Sequence, residues 1–311
     1  MSCRTSAARR VLLRWALLPL LGCGHAPPAP GPVAAPASPE PVATPPAPVR
    51  LRIATFNIQK LGPTKAGRAD VMEMLVSIVR RYDLVAVQEI QDRHGEVPVQ
   101  LLSLINRGAP GGDDYAMVLS PRTGQQPDDL RSQEQYAYYY RTDRLRPVGS
   151  HRLYDDSAHD HFQREPHVAR FAVQGACTSF VLMNLHTRPR AALEEIAAVE
   201  HVFRWAREQY DDERHFVALG DFNAGCGYAS EQDLDALPIH GEQYDWVVPH
   251  SADTNVADSQ CPYDRIVISS SEGNLLVEDW GVDRAFSDRR VSDHWPVWAD
   301  FTFAVDASCT R

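Results

Sequence analysis

The segment FVLMNLHTRPRAALEEIAAVEHVFRWAREQYDDERHFVALGDFN, residues 180–223, contains two short apolar runs separated by a long amphipathic stretch. The runs FVLMNLH and HFVALGD have the length and composition of buried strands. The stretch between them, RAALEEIAAVEHVFRWAREQY, repeats its apolar residues with helical spacing. The segment therefore predicts a strand, a helix and a second strand, a unit whose helix covers one face of a sheet.

The same arrangement occurs a second time, nearer the N-terminus. LRIATFNIQ (residues 51–59) and DLVAVQEI (residues 83–90) have strand patterns, and ADVMEMLVSIVRRY (residues 69–82) places Val71, Leu75 and Ile78 on one face of a helix. Further strands are predicted at EQYAYYYR, HVARFAV, SFVLMNLH, YDRIVIS and WPVWADFTFAV, with a hairpin turn at QGACTS. Two such units predict an α/β fold in which two sheets pack face to face with the helices outside.

Length and charge limit the function. The chain has 311 residues, of which 44% are hydrophobic and 23% charged, so it can bury the core of a large globular domain. Its formal net charge of -10 argues against a broad basic surface that grips nucleic acid. Any chemistry on phosphate groups would therefore need metal ions to offset the charge repulsion.

The first residues have the pattern of an export signal. Arginines precede and interrupt the apolar run VLLRWALLPLLGC (residues 11–23), which is too short to remain in a bilayer as a spanning helix. Its end, LLGC, is similar to a bacterial lipobox, so we predict a signal peptide at residues 1–22 and a lipidated Cys23 in a cell-envelope lipoprotein. The alternative is ordinary cleavage nearby, in which Cys23 is incidental and the protein is secreted.

The signal is followed by a stretch with linker composition, residues 23–49. Residues 26–49 contain ten of the chain's 23 prolines and almost no charge, so they cannot form a core and are expected to be an extended tether. No later stretch has this composition. We therefore predict that residues 50–311 form a single domain.

Four of the six cysteines follow the leader, at positions 177, 226, 261 and 309. An even number of cysteines in an exported chain predicts disulfide bonds, and four cysteines allow three pairings. Cys226 and Cys261 each lie beside a polar motif described below, which favours a bond between them. That choice leaves Cys177 with Cys309.

Polar residues of similar kinds stand at the ends of the predicted strands. They follow four of the apolar runs and precede two others: Asn57, Glu89, His186, Asp221 with Asn223, Asp264, and Asp293 with His294. If the two sheets pack together, these side chains converge on one edge. Carboxylate and amide oxygens suit a hard divalent ion such as Mg²⁺ and imidazoles move protons, a combination that favours metal-assisted phosphodiester hydrolysis. The spacing does not match a structural zinc site, and the sequence has no P-loop, GxSxG or GxGxxG motif.

These motifs also carry a resemblance to a known family. TFNIQ, VQEI, EQYAYYYR, REPHVARF, NLHTRP, LGDFNAGCGY, HSADTNVADSQCPYDRIVI and VSDHWPVWADF closely resemble, in order, motifs of the deoxyribonuclease I family. GDFN and SDH are typical of the whole endonuclease/exonuclease/phosphatase superfamily, whereas NAGCGY and CPYDRIV narrow the resemblance to its deoxyribonuclease I branch. The resemblance covers residues 50–303. It implies a four-layered α/β sandwich, with two central mixed β-sheets packed face to face and helices outside.

The resemblance implies a metal site and an activity. It assigns Glu89 to a catalytic Mg²⁺ or Mn²⁺ ion. Asn57, Asp221, Asn223 and Asp293 would surround the metal and the scissile phosphate, with Asn223 also contacting the substrate. The implied reaction is endonucleolytic hydrolysis of DNA to 5′-phosphate products with little sequence specificity, by a protein that we expect to be a monomer.

The resemblance also implies a pair of proton-transfer groups. His186 and His294 would be the general acid and base, in an order that the sequence leaves open. Glu134 would orient His186, and Asp264 would orient His294, each carboxylate selecting a tautomer and supporting the charged imidazole.

Two acidic loops match family calcium sites, and the cysteines match in part. The positions of Cys226 and Cys261 are those of the family's long-loop disulfide, whereas its short disulfide has no counterpart in YDDSAHDHFQREP. For each loop the alternative is a solvated acidic turn. The candidate calcium ligands are Asp156, Asp160, the carbonyl of Phe162 and Glu165 in the first loop, and Asp253 and Asn255 in the second.

The departures from the family concern the substrate. Gln91 and Ser132 stand where the family has an arginine and a tyrosine that enter the DNA minor groove. Arg164 remains a candidate phosphate contact, and Arg122 or Arg131 is a candidate substitute for the missing contacts. The preference among duplex DNA, single-stranded DNA and RNA is therefore open.

Two other functions remain as alternatives. A phosphodiesterase or phosphatase of the same fold that acts on a phospholipid or a small phosphoester would explain the missing groove contacts and the tether. A non-catalytic surface binding protein is disfavoured, because all the expected catalytic positions are filled.

Overall fold

A computed structural model of the chain describes residues 31, 47–107, 114–125, 132–269 and 275–305. The described residues from position 47 onward form one compact unit. The predicted signal peptide, Cys23 and nearly all of the tether lie outside the described residues, so these domain boundaries stay predictions. No helix within the described ranges is both long enough and apolar enough to cross a membrane.

The described part of the chain forms strands and helices in alternating groups. The strands are β1 (Val49–Leu61), β2 (Leu84–Ile90), β3 (Tyr115–Leu119), β4 (Gln135–Arg141), β5 (Leu145–Leu153), β6 (His167–Val173), β7 (Thr178–His186), β8 (Phe216–Asp221), β9 (Tyr244–Trp246), β10 (Asp264–Ser269), β11 (Leu276–Val282) and β12 (Val297–Phe303). The helices are α1 (Pro63–Ala66), α2 (Ala69–Val79), α3 (Glu96–Asn106), α4 (Ala192–Gln209) and α5 (Glu231–Asp235), with short 3-10 helices at Pro189–Ala191 and Pro238–His240.

The strands form two sheets of six strands each, in the orders β11-β12-β1-β2-β4-β3 and β5-β6-β7-β8-β10-β9. β1 pairs with β2 in parallel, and β7 pairs with β8 in parallel. The other pairings are antiparallel, so both sheets are mixed. Each parallel pair is joined through a helix, as the two strand–helix–strand units predict.

Three apolar clusters hold the layers together. Between the sheets, residues such as Tyr138, Phe180 and Leu219 are fully buried. On the outer face of the second sheet, α4 buries Val199 and its neighbours, and on the outer face of the first sheet, α2 buries Leu75. The order helix, sheet, sheet, helix confirms the predicted four-layered α/β sandwich.

Several elements are absent from our sequence prediction. β5 and β11 lie at the edges of their sheets and are largely exposed, so they lack the apolar alternation that identifies a strand. α3 carries Pro98 in its first turn, where proline is tolerated but usually read as a helix breaker. In contrast, α4 begins and ends within two residues of its predicted limits.

A buried polar contact joins the two sheets near the ends of β2 and β7. The Gln88 side-chain amide donates to Asn184 Oδ1 at 2.7 Å and to Thr55 Oγ1 at 2.9 Å, and Asn184 Nδ2 donates to the Val87 carbonyl at 3.2 Å. Because Gln88 precedes Glu89 and Asn184 lies two residues before His186, this contact sets how the ends of β2 and β7 meet.

Candidate active site

The strand ends bring the predicted polar residues to one edge of the sandwich. His186 and Asp221 are register partners at the ends of the parallel strands β7 and β8, and Asp264 faces Asp221 at the start of β10. In the other sheet, Asn57 of β1 lies beside the end of β2, which carries Glu89. The Asn57 Nδ2 group donates to Glu89 Oε1 at 3.0 Å and to Asp221 Oδ2 at 2.9 Å, so it connects the two sheets directly.

The backbone at this edge is unusual at several positions. Gly220 has a φ of 152°, and a Cβ there would lie 1.9 Å from the Leu185 carbonyl oxygen, so only glycine allows β8 to approach β7 this closely. Glu89 and Asn223 have φ values of 61° and 47°, a conformation that residues with a Cβ rarely adopt. Such backbone strain is concentrated at functional sites, because the surrounding structure must hold it in place.

Each histidine is paired with a buried carboxylate on one side and faces Asp221 on the other. Nδ1 of His186 lies 3.1 Å from Glu134 Oε1, and Nδ1 of His294 lies 2.8 Å from Asp264 Oδ2. The two Nε2 atoms lie 3.5 Å and 3.6 Å from the same atom, Asp221 Oδ2. The structure therefore brings the two histidines and their predicted partners together around one point.

Electrostatics keep both imidazoles ready to carry a proton. Burial lowers the pKa of His294, but Asp264 and Asp221 raise it by more, and the net pKa is well above the ordinary value. Burial and the Arg164 charge lower the pKa of His186, whereas Glu134 and Asp221 raise it by more. The net pKa of His186 is therefore above the ordinary value. The protonated form of each ring is thus stabilised by the carboxylates around it.

The same edge has the donor set for a hard divalent ion. Glu89, Asp221 and Asp293 are carboxylates, and Asn57 and Asn223 add amide groups. Asp293 Oδ1 is buried and has no hydrogen-bond partner among the described residues. An unpaired buried carboxylate oxygen is costly unless a cation compensates it, so the residues fit a hard divalent cation.

With this geometry in place, comparison with known proteins identifies the family. A model of the Endonuclease/Exonuclease/phosphatase family matches residues 54–294. The chain belongs to this family. Human deoxyribonuclease-1 is 33% identical over 265 residues, which cover 80% of this chain and 91% of that protein. Deoxyribonuclease-1 of Bos taurus is 30% identical over 268 residues, which cover 81% of this chain and 92% of that protein. The chain is therefore a deoxyribonuclease I-like member of the endonuclease/exonuclease/phosphatase family.

Solved structures agree on the fold. D. rerio TDP2, solved with a single-strand DNA product, matches with a TM-score of 0.58 at 14% identity and covers 81% of this chain and 98% of its own. A mannosyl-6-phosphatase of Bacteroides thetaiotaomicron matches with a TM-score of 0.55 at 18% identity and covers 81% of this chain and 100% of its own. At this identity the two structures support the family's fold and no particular activity.

The first predicted calcium loop has a suitable arrangement. Asp156, Asp160 and Glu165 line one cavity of about 500 Å³, and Phe162 donates its backbone N–H to Asp156 Oδ2 at 2.7 Å. Asp156 Oδ1 is buried with no hydrogen-bond partner in the described part of the chain. Calcium binding at this loop stays a prediction.

The second predicted calcium loop is closed by its own contacts. Asp253 pairs with Arg284 at 3.2 Å. The amide group of Asn255 donates to the Ser259 carbonyl at 2.6 Å, and its Oδ1 accepts from Ala257 at 2.6 Å. These contacts involve both predicted ligand side chains, and calcium binding at this loop stays a prediction.

The cysteines follow the expected pattern where they are described. Cys226 and Cys261 form a disulfide bond, with their Cα atoms 5.6 Å apart. Cys177 is also disulfide-bonded. Its predicted partner, Cys309, lies outside the described residues, so that pairing stays a prediction.

Two of the candidate substrate-contacting positions, Arg164 and Ser132, make hydrogen bonds within the protein. Arg164 is buried, and its guanidinium donates to the carbonyls of His186 and Thr187 at 3.0 Å and 2.9 Å, which holds the end of β7. Its contact with a substrate phosphate stays a prediction. The Ser132 hydroxyl accepts a hydrogen bond from the Gln163 side chain at 2.9 Å. Gln91 lines a groove that also contains the basic residue Lys60. Arg131 lies outside the described residues.

Three residues that our sequence analysis missed also shape the site. The Lys65 ammonium is buried and donates to the carbonyls of Ile58 and Val291 at 2.6 Å and 2.7 Å. Burial lowers the pKa of Lys65 to about 8, against the opposing effect of Glu89 and Asp293.

The other two residues support the backbone of the site. Ser292 donates to the Asn57 carbonyl at 2.6 Å, and the Tyr136 hydroxyl accepts from the His186 backbone N–H at 3.2 Å. Ser292 lies inside the SDH motif and Tyr136 inside the EQYAYYYR motif, whereas Lys65 lies in none of the motifs quoted above.

Proposed function

We propose that this protein is an exported, divalent-metal-dependent endonuclease that hydrolyses DNA to 5′-phosphate products with little sequence specificity. The observation that carries the proposal is the convergence of two histidine–carboxylate pairs on Asp221, beside Asn57 and Glu89. Family membership and the similarity to deoxyribonuclease-1 support a hydrolase that acts on phosphodiester bonds.

The chain's own residues supply binding and proton transfer. Glu89 and Asp293 would hold the ion, with Asn57 and Asp221 beside it. When bound, the ion supplies positive charge that offsets the negative charge gained by the phosphate during attack. One histidine takes a proton from the attacking water, and the other gives a proton to the leaving 3′-oxygen.

The carboxylates beneath the histidines prepare them for these roles. Glu134 and Asp264 each hold the Nδ1 side of a ring, which leaves Nε2 facing the reacting atoms. The short distance from both Nε2 atoms to Asp221 brings the two rings to one small volume. We propose an in-line displacement in this volume, in which water enters opposite the leaving group.

A plasmid-nicking assay tests the proposal. The purified protein should nick supercoiled DNA with Mg²⁺, lose this activity in EDTA, and lose it again in His294→Ala. His201→Ala, on the partly exposed surface of α4, is the matched control and should behave as the parent protein. Ligation of the nicked product without prior phosphorylation would show 5′-phosphate ends, and a folded protein that leaves DNA intact would overturn the proposal.

A second candidate rests on Gln91 and Ser132, which cannot make the family's groove contacts. It is a phosphodiesterase or phosphatase of the same fold that acts on a phospholipid or a small phosphoester. Hydrolysis of phospholipid vesicles or of a nitrophenyl phosphoester, together with intact plasmid, would favour it. If the folded protein hydrolysed none of these substrates, a non-catalytic binding protein would become the best explanation.

We also propose export and a lipid anchor at Cys23, on the pattern of residues 1–23. Mass spectrometry of the mature N-terminus should find a diacylglyceryl-modified cysteine. A mature chain that begins at another residue would indicate a secreted enzyme instead.

A further inference from the structure

We propose that Asp235, His240 and His250 form a second metal site, selective for a transition-metal ion such as Zn²⁺. Asp235 is the last residue of α5, His240 ends the second 3-10 helix, and His250 follows β9. The three side chains belong to the segment that the Cys226–Cys261 disulfide closes. None of them takes part in the proposed hydrolysis, so this inference stands apart from the proposed function.

The distances fit a small tetrahedral ion. Asp235 Oδ1 lies 3.2 Å from His250 Nε2 and 3.5 Å from His240 Nδ1, and one ligand atom from each residue lies within 4.8 Å of the other two. Zinc bonds of about 2.0–2.2 Å in tetrahedral geometry separate neighbouring ligand atoms by roughly 3.4 Å. The distances from Asp235 to the two imidazoles already match this separation, and the two imidazole nitrogens lie within 4.8 Å of each other.

The packing holds the two rings in nearly this arrangement. The His240 ring stacks on Trp246 with centroids 4.0 Å apart, and the Trp246 indole donates to the Ile239 carbonyl at 2.8 Å. The His250 ring lies almost parallel to that of His240, at 5.5 Å and 11°. Because the aromatic stack already orders these side chains, binding an ion costs little additional side-chain entropy.

The donor set decides which metal would bind. Two imidazole nitrogens and one carboxylate are typical ligands of Zn²⁺ and its transition-metal neighbours, whereas Mg²⁺ and Ca²⁺ prefer oxygen ligands alone. The side chain of Asp235 is 59% exposed and that of His250 is 20% exposed, which gives an ion a path from solvent and leaves room for a water ligand.

The positively charged side chain of Arg265 lies next to the proposed site, so a bound ion would be close to a second positive charge. Arg265 Nη2 lies 3.3 Å from His250 Nδ1. This contact is the longest that Arg265 makes here, because its guanidinium also donates to the carbonyls of Val248, Pro249 and Ala224 at 2.7–2.8 Å. The backbone therefore holds Arg265 without help from His250. An ion at this site would fasten residues 236–250 to the end of α5.

Titration of the full-length protein with Zn²⁺ and with Co²⁺, a probe whose visible absorption reports four-coordination, tests the proposal. Any affinity tag must lack histidine, and saturating Mg²⁺ should occupy the catalytic edge. We expect one strong site, visible Co²⁺ bands, and a Zn²⁺-dependent rise in Tm. His240→Phe keeps the stack on Trp246 but removes the ligand, and it should weaken binding by about 100-fold or more.

Two further variants keep the test decisive. Asp235→Asn changes an exposed carboxylate and should fold normally, yet it should also lose the Co²⁺ bands. His159→Phe alters an exposed histidine outside the cluster and should bind the ion as the parent protein does. Unchanged Zn²⁺ affinity in both His240→Phe and Asp235→Asn, or no strong site in the parent protein, would overturn the proposal.

Discussion

The buried carboxylates Glu134 and Asp264 reach the reacting atoms only through the histidines that they contact. Both are almost completely buried, at 1% and 0% exposed, and each lies on the Nδ1 side of its histidine. They are therefore positioning residues, whose effect should appear both in the rate and in the proton affinity of the ring. A purely structural residue would change the fold or its stability without moving a pH profile.

Asp264→Asn tests this role. We expect kcat to fall by about 10²-fold or more, since general acid–base catalysis contributes about 10²–10⁴-fold. An amide cannot raise the pKa of His294 as the carboxylate does, so the limb of the pH–rate profile that belongs to His294 should move to lower pH. Asp211→Asn, on an exposed turn, is the control. A profile that keeps its shape and height in Asp264→Asn would contradict the assignment.

His167 makes a different residue-scale contribution, to stability in acid. Burial, assisted by His151, lowers the pKa of His167 to about 3. Between pH 6.5 and this lowered pKa, His167 is protonated in the unfolded chain but not in the folded chain. The free energy of unfolding therefore falls as the pH falls. The loss approaches about 1.4 kcal/mol per pH unit within this window.

Replacing His167 with a residue that does not titrate should remove that loss. In His167→Gln we expect the free energy of unfolding to decline less steeply between pH 6.5 and pH 4.5 than in the parent protein, whatever the variant's stability at neutral pH. Urea unfolding at several pH values measures the slope. Equal slopes in the two proteins would show that His167 is protonated in the folded state.

At the scale of elements, the close approach of β7 and β8 sets the position of Asp221. Gly220 makes this approach possible, because a Cβ there would overlap the Leu185 carbonyl. The next residue, Asp221, then lies where it meets both histidines and Asn57. The glycine of the GDFN motif is thus required for geometry, and the acid that follows it for chemistry.

Gly220→Ala should therefore destabilise the protein by about 3 kcal/mol or more, since the strands must separate to relieve the overlap. Nuclease activity should fall with it, because Asp221 moves. Gly227→Ala is the matched control, because a Cβ at Gly227 has no neighbour within 4 Å. Thermal unfolding of the two variants side by side gives the answer, and similar Tm values would refute the steric argument.

At the scale of the whole molecule, the Cys226–Cys261 disulfide closes the long connection between β8 and β10. Cys226 and Cys261 are 35 residues apart, and the segment between them contains α5, β9 and the proposed zinc ligands. This connection leaves the second sheet after β8 and re-enters it at β10, where Asp264 lies beside Asp221. A crosslink at its base restricts the unfolded chain and should stabilise the fold.

Replacing both Cys226 and Cys261 with alanine should lower the free energy of unfolding by roughly 2–4 kcal/mol. The Cys177 bond is left in place, so the comparison isolates one crosslink. Urea unfolding under non-reducing conditions is the measurement. A double variant as stable as the parent protein would mean that the loop is held by its packing alone.

Much of the architecture and of the catalytic edge could be predicted from the sequence, and the reason is local. Apolar periodicity identified β1, α2, β2, β7, α4 and β8, because buried faces repeat at the spacing of their own secondary structure. The polar residues that end those strands, such as Asn57, Glu89 and Asp221, were visible because they interrupt apolar runs. Family motifs then suggested which carboxylate serves which histidine.

Contacts between distant segments were decided only by the tertiary structure. Lys65 reaches the carbonyl of Val291, and Arg164 turns inward to the end of β7, although neither residue stands in a periodic pattern. His240 and His250 meet Asp235 across three separate elements, at a spacing that matches no zinc motif. The physical reason is that periodicity reports which face of an element is buried, whereas a site depends on which side chains the packed elements bring within about 3–4 Å of one another.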